Sequence, residues 1–91
     1  MKKEGSIVKD RQMRLYTREG CHLCDNAKKL ILDLQAEHEF ELEEVDISAS
    51  DDLTERYGLM IPVVELGGEE VQFGRIDQFT LYEALTAKNR F

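Results

Sequence analysis

Two cysteines three residues apart, Cys21 and Cys24, stand between a strand-like alternating segment and an amphipathic helix, and the chain has no others. This junction restricts the fold more than any other feature. A Cys-x-x-Cys at the mouth of a helix calls for a strand, a short turn and a helix start in direct succession. There the helix dipole and its free amides stabilise one thiolate while the second thiol waits to resolve a mixed disulfide.

Ninety-one residues allow one hydrophobic core and one domain. A formal net charge of -7 argues against a nucleic-acid partner, because phosphate contacts need clustered lysine and arginine. The first residues contain no apolar run of signal-peptide length, and nowhere do about 18 apolar residues stand together. The expectation is therefore a cytoplasmic protein without a membrane partner. In a reducing compartment a structural disulfide does not persist, so a close cysteine pair reads as catalytic, redox-sensing or metal-binding.

Residues 1–12 are mostly polar and read as a flexible N-terminal extension, and residues 13–91 as the domain. Met13-Arg14-Leu15-Tyr16-Thr17 alternates like a strand, and Arg18-Glu19-Gly20 is a turn. From Cys24, the residues Ala27, Leu30, Ile31 and Leu34 mark one face of a helix ending near Glu37. Phe40 to Ile47 alternates apolar and acidic residues, the pattern of a strand with one wet face. A second helix is capped by Ser48 or Ser50 and stopped by Tyr57-Gly58. Val63 to Leu66 and Glu70 to Phe73 flank Gly67-Gly68-Glu69 as a hairpin. Asp77 opens a last helix whose apolar side is Phe79, Leu81, Tyr82 and Leu85.

The order is β-α-β-α-β-β-α. Its first two strands, joined through a helix, should be parallel, and the hairpin adds two antiparallel partners to a four-stranded mixed sheet. The expected fold is an α/β three-layer α/β/α sandwich with the cysteines at the C-terminal end of the first strand, where sites of such sheets collect.

An unperturbed thiol is only about 3% thiolate at pH 7, so the attacking sulfur must be made more acidic. Cys21, at the first helical turn, faces amides with no intrahelical acceptor, whereas Cys24 lies one turn in and is shielded. Within a regular helix, residues three apart hold their Cβ atoms about 5–6 Å apart, too far for a disulfide. Cys21 should therefore have non-helical dihedrals, and Gly20 leaves the backbone room to turn. His22 reads as an exposed modulator. A metal site made of Cys21, His22 and Cys24 has only three donors, packed too closely for ordinary zinc spacing. Pro62 is the only proline, tolerated at the first residue of a strand, and the base rate for its peptide bond favours trans.

Together, Tyr16-Thr17-Arg18-Glu19-Gly20-Cys21-His22-Leu23-Cys24, Val45-Asp46-Ile47, Ile61-Pro62-Val63 and Phe73-Gly74-Arg75 with Asp77 resemble the glutaredoxin-like branch of the thioredoxin superfamily. The resemblance runs from about Met13 to Leu85. It implies a thioredoxin-like fold and a thiol-disulfide oxidoreductase, with Cys21 as nucleophile and Cys24 as resolving thiol. It also implies a cis Pro62 near the pair, with Ile61 offering its backbone amide and carbonyl to substrate. Arg18 matches the basic position that faces the glutathione carboxylate, and His22, Leu23, Gly74, Arg75 and Asp77 complete the implied substrate surface.

Three departures stand out. His22-Leu23 replaces proline-tyrosine, Met60-Ile61 replaces threonine-valine, and Gly74-Arg75 replaces a glycine pair. The expectation is that no cofactor is bound, that glutathione serves as a weak or altered co-substrate, and that the partners of this monomer are glutathione or disulfide-containing proteins. Two other functions fit the same residues: an iron-sulfur cluster or metal carrier, and a redox-sensing interaction module.

Overall fold

The computed structural model describes residues 12–89, with side chains through Thr86. The expected N-terminal extension lies outside the described residues except for Gln12, which already begins the first strand. The elements are β1 (Gln12–Thr17), α1 (His22–Gln35), β2 (Glu41–Asp46), a 3-10 turn (Ile47–Ala49), α2 (Asp51–Tyr57), β3 (Val63–Leu66), β4 (Glu69–Phe73) and α3 (Gln78–Asn89). Strands run in the order β2-β1-β3-β4. β1 is parallel to β2 and antiparallel to β3, which is antiparallel to β4, so the sheet is mixed as the element order implies. The fold is thioredoxin-like.

The strand period of two sorts the core into two faces. Met13 and Leu15 of β1, with Val64 and Leu66 opposite them, join Ala27, Ile31 and Leu34 of α1 and Leu81 and Leu85 of α3 in one cluster. Tyr16 and Val63, paired across the same two strands, turn to the other face and meet Ile47 and Tyr57 in a second cluster. Helices α1 and α3 therefore cover one side and α2 the other, the expected three layers. Tyr16 and Tyr57 stack with ring centroids 4.3 Å apart, which fastens α2 to the sheet.

Strand β2 departs from the simple wet-face pattern. Leu42 packs against the first cluster and Val45 against the second, so the acidic pair Glu43-Glu44 marks a change of face. Both apolar residues are only half buried because β2 is an edge. Its charges blunt that edge, and Arg14 (3.0 Å from Glu43) and Lys28 (3.2 Å from Glu44) offset them.

The caps also resolve the alternatives. Ser50, not Ser48, caps α2 by accepting the Leu53 amide at 3.3 Å, while Ser48 donates through its amide and hydroxyl to Asp46. Gly58 ends α2 without leaving the right-handed region (φ -55°, ψ -34°). Glycine is needed there for space, because a Cβ would collide with the Thr54 carbonyl oxygen. In the hairpin, Gly67 and Gly68 both take positive φ, 62° and 89°, as a two-residue turn between right-twisted strands requires.

Helix α3 corrects the expected apolar side. Leu81 and Leu85 are fully buried and Ala84 packs beside them, but Phe79 and Tyr82 face outward. Apolar residues occur around much of this helix, so spacing alone does not choose the covered face. Packing against α1 and the sheet does.

Candidate active site

All four strands contribute to one end of the sheet. Thr17 pairs with Asp46 and Tyr16 with Val63, which pairs in turn with Phe73. The loop carrying Arg18 to Cys21, the carboxylate of Asp46, the bond before Val63 and the Gly74 turn are thereby gathered along that end, where the parallel strands finish.

Gly20 takes φ +84°, which sends the chain sharply from β1 into the helix. Cys21 then serves as the N-cap of α1, with extended dihedrals (φ -95°, ψ 108°) as expected. Its Sγ accepts the amide of Cys24 at 3.2 Å, and its carbonyl accepts the amide of Asp25 at 3.1 Å. The two cysteines lie at disulfide distance, with Cα atoms 5.2 Å apart, inside the usual range. Cys24 is buried at 2% exposure while Cys21 is half-buried, so partners reach Cys21 first. His22 and Leu23 stand exposed on the first turn of the helix beside the pair.

The Ile61–Pro62 peptide bond is cis, and Pro62 is buried. The Gly74 amide ties two loops together by donating to the Pro62 carbonyl at 2.8 Å and to the Met60 carbonyl at 3.0 Å. Gly74 itself takes φ +77°.

One expected contact changes. The Ile61 amide is already spent inside the protein, donating to the Tyr57 carbonyl at 3.0 Å, because the chain makes one more turn after α2 before reaching Pro62. Only the Ile61 carbonyl remains to pair with an extended segment. The Asp77 carboxylate opens α3 as expected, accepting the amides of Phe79 (3.3 Å) and Thr80 (3.1 Å) and the Thr80 hydroxyl, and stays exposed. The Thr80 hydroxyl foremost, then its amide, holds the Asp77 carboxyl below its ordinary value.

Arg18 is exposed and lines an open groove of about 360 Å³ with Thr17, Glu19, Asp25, Glu44 and Asp46. Asp46 is held below the usual carboxylate range chiefly by the Ser48 hydroxyl and amide, with Arg18 adding a favourable charge. Arg75 is exposed.

A profile of one domain family matches residues 12–86, nearly all of the described chain. The chain belongs to the glutaredoxin-like domain family (DUF836). A solved structural-genomics target protein from X. campestris is 30% identical to it, spanning 82% of this chain and 96% of its own, with a TM-score of 0.70. A protein from Nitrosomonas europaea, solved in solution, is 31% identical over 84% of this chain and 92% of its own, with a TM-score of 0.72. Fasciola hepatica thioredoxin, at 22% identity and a TM-score of 0.62 over 94% of this chain and 88% of its own, shares the fold. In this glutaredoxin-like domain, a cysteine pair at disulfide distance at the end of a thioredoxin-like sheet suggests redox activity.

Sequence reasoning missed Met60 and Tyr57, whose contributions here are main-chain carbonyls and leave no side-chain signature. It also missed the Asp46-x-Ser48 turn, which the tendency of Asp to bond the amide two residues on would have disclosed. Among the described residues no three His, Cys, Asp or Glu groups are placed to hold a metal ion, and no helix is long and apolar enough to cross a membrane.

Proposed function

We propose that this chain is a thiol-disulfide oxidoreductase that reduces protein or glutathione mixed disulfides. The observation that carries this reading is the asymmetry of the pair: Cys21 caps a helix and receives the Cys24 amide, while Cys24 is buried behind it. An amide aimed at Cys21 Sγ stabilises negative charge on that sulfur more than on the thiol.

In the reduced protein, Cys21 thiolate attacks one sulfur of the substrate disulfide. The substrate S–S bond breaks, a Cys21 mixed disulfide forms, and the departing thiolate takes up a proton. Cys24, once deprotonated, attacks Cys21 Sγ and releases the second substrate thiol. The protein is oxidised to the Cys21–Cys24 disulfide as the substrate gains two electrons, and a thiol donor, glutathione or a small protein dithiol, returns them. Such donors are kept reduced in the cytoplasm, the compartment this reading favours. The chain would act as a monomer and without a bound cofactor.

Turnover of a small disulfide should be measured twice, once with glutathione and its reductase and once with thioredoxin reductase. Activity with either donor that vanishes in Cys21→Ser supports the reading and names the donor. No turnover with either, in a protein whose cysteines still oxidise and reduce, would replace it with a redox-sensing module.

A further inference from the structure

The groove beside Cys21 is lined by four carboxylates and one guanidinium: Glu19, Asp25, Glu44 and Asp46 against Arg18. Lys28 neutralises Glu44 at 3.2 Å. Three carboxylates are left facing one arginine whose charge Asp46 already shares. A disulfide approaching Cys21 from this side therefore enters a negative field, reinforced by a chain that carries -7 in all. Glutathione disulfide is a net anion and is repelled there. Arg75, and Arg56, which lies over the Tyr57 ring at 5.4 Å, are not among the residues that line the groove.

The apolar surroundings add a second constraint. Leu23 beside Cys24, Leu59 ahead of the cis bond and Phe73 ahead of Gly74 are all exposed, with Leu59 wholly so. These three side chains stand on the segments that form the site. A small disulfide has too little surface to cover them. An extended protein segment does, and the Ile61 carbonyl offers it one main-chain acceptor.

Resting on the exchange chemistry proposed above, we propose that the preferred substrate is a disulfide on a protein segment in which lysine or arginine flanks the cysteine. Anionic disulfides, glutathione disulfide included, are disfavoured. The positive charges lie along the Glu19, Asp25 and Asp46 groove, and apolar neighbours of the cysteine rest on Leu23 and Phe73.

The test uses the full chain, reduced with dithiothreitol, freed of it and mixed with four disulfides. Three are homodisulfides of one short peptide whose single cysteine is flanked by lysine, by glutamate or by serine; the fourth is cystamine, a small dication. Each rate is divided by that of the same disulfide with dithiothreitol, which removes differences in intrinsic reactivity. At about 10 mM salt the lysine peptide should exceed the glutamate peptide by roughly ten-fold or more, with serine between them. The ratio should shrink several-fold at about 0.5 M salt, where screening is nearly complete beyond a few ångströms. The lysine peptide should also exceed cystamine.

Glu19→Gln with Asp25→Asn should lower the lysine-to-glutamate ratio at least three-fold. Asp33→Asn with Glu83→Gln removes the same charge from exposed positions away from the groove and should leave the ratio within about two-fold, because steering by a nearby cleft outweighs distant screened charge. Equal normalised rates for lysine and glutamate peptides, a ratio unmoved by salt, or equal effects of the two double variants would overturn the inference. Cystamine matching the lysine peptide would overturn its protein-segment part. Should the serine peptide fail to react as well, the exchange chemistry itself falls; reaction with all peptides at one rate sinks only the charge preference.

Discussion

The amide of Cys24 points at Cys21 Sγ from 3.2 Å, so the backbone of one cysteine serves the sulfur of the other, the same sulfur that Cys24 would attack in the exchange proposed above. Burial of Cys24 and capping by Cys21 make the two thiols unequal before any substrate arrives. The chemistry of the pair follows from that inequality.

In single-cysteine variants at pH 6, Cys21 should alkylate faster than Cys24 by at least ten-fold, because one thiol faces a helix N-terminus and the other is enclosed. Cys24→Ser should accumulate a stable mixed disulfide with substrate. Mass spectrometry of the trapped adduct checks the assignment, and Cys24 reacting first would reverse the two roles.

The faces of α3 can be tested by truncation. Leu81→Ala opens a cavity in the cluster shared by α1, α3 and the sheet, and should cost about 2–5 kcal/mol. Phe79→Ala removes an outward side chain and should change stability by about 0.5 kcal/mol or less. Urea unfolding of both variants distinguishes them, and comparable losses would mean Phe79 is covered.

Legibility in the sequence tracked how local each determinant is. The strand alternation of Met13 to Thr17, the Cys21 cap and the glycine hairpin depend on neighbours a few residues away, and each was readable. The face of α3 depends on what α1 presents to it. Leu81 and Leu85, rather than Phe79 and Tyr82, are covered through contacts with residues some fifty positions earlier. The opposite facing of Leu42 and Val45 follows from the period of two at a spacing of three; what depends on distant residues is that core lies on both faces of this edge strand. At the site, Cys21 and Cys24 were plain from type and spacing, but the Ile61 amide was not. Its bond to Tyr57 is a main-chain closure after α2, on which side-chain identity is silent.

Acid should weaken the α3 cap. Asp77's carboxyl is held below its ordinary value by the Thr80 hydroxyl and amide, so the folded state binds its proton less readily than the unfolded chain. The resulting stability is present above the unfolded carboxylate value of about 3.9 and is lost as pH falls through the lower folded value. Asp77→Ala should melt roughly 5 °C below the parent at pH 7. That gap should narrow as pH is lowered past the carboxylate range; a gap constant with pH would show that capping by Asp77 does not depend on its charge.

Arg18 offers the sharpest distinction between donors. It is the cation nearest Cys21 in the groove, and Asp46 holds part of its charge. A charge-assisted contact to a glutathione carboxylate would be lost in Arg18→Ala, lowering glutathione-dependent turnover by roughly ten-fold. The same change deepens the negative field and should raise the rate with a lysine-flanked disulfide, leaving a neutral dithiol nearly unaffected. Steady-state rates with the three partners, in parent and variant, form the comparison. Equal losses with all three would mean that Arg18 acts on the Cys21 thiolate directly, since only that sulfur is common to every reaction. Opposite shifts for glutathione and the cationic disulfide would assign Arg18 to partner choice, with Asp46 as the residue that limits its attraction for anions.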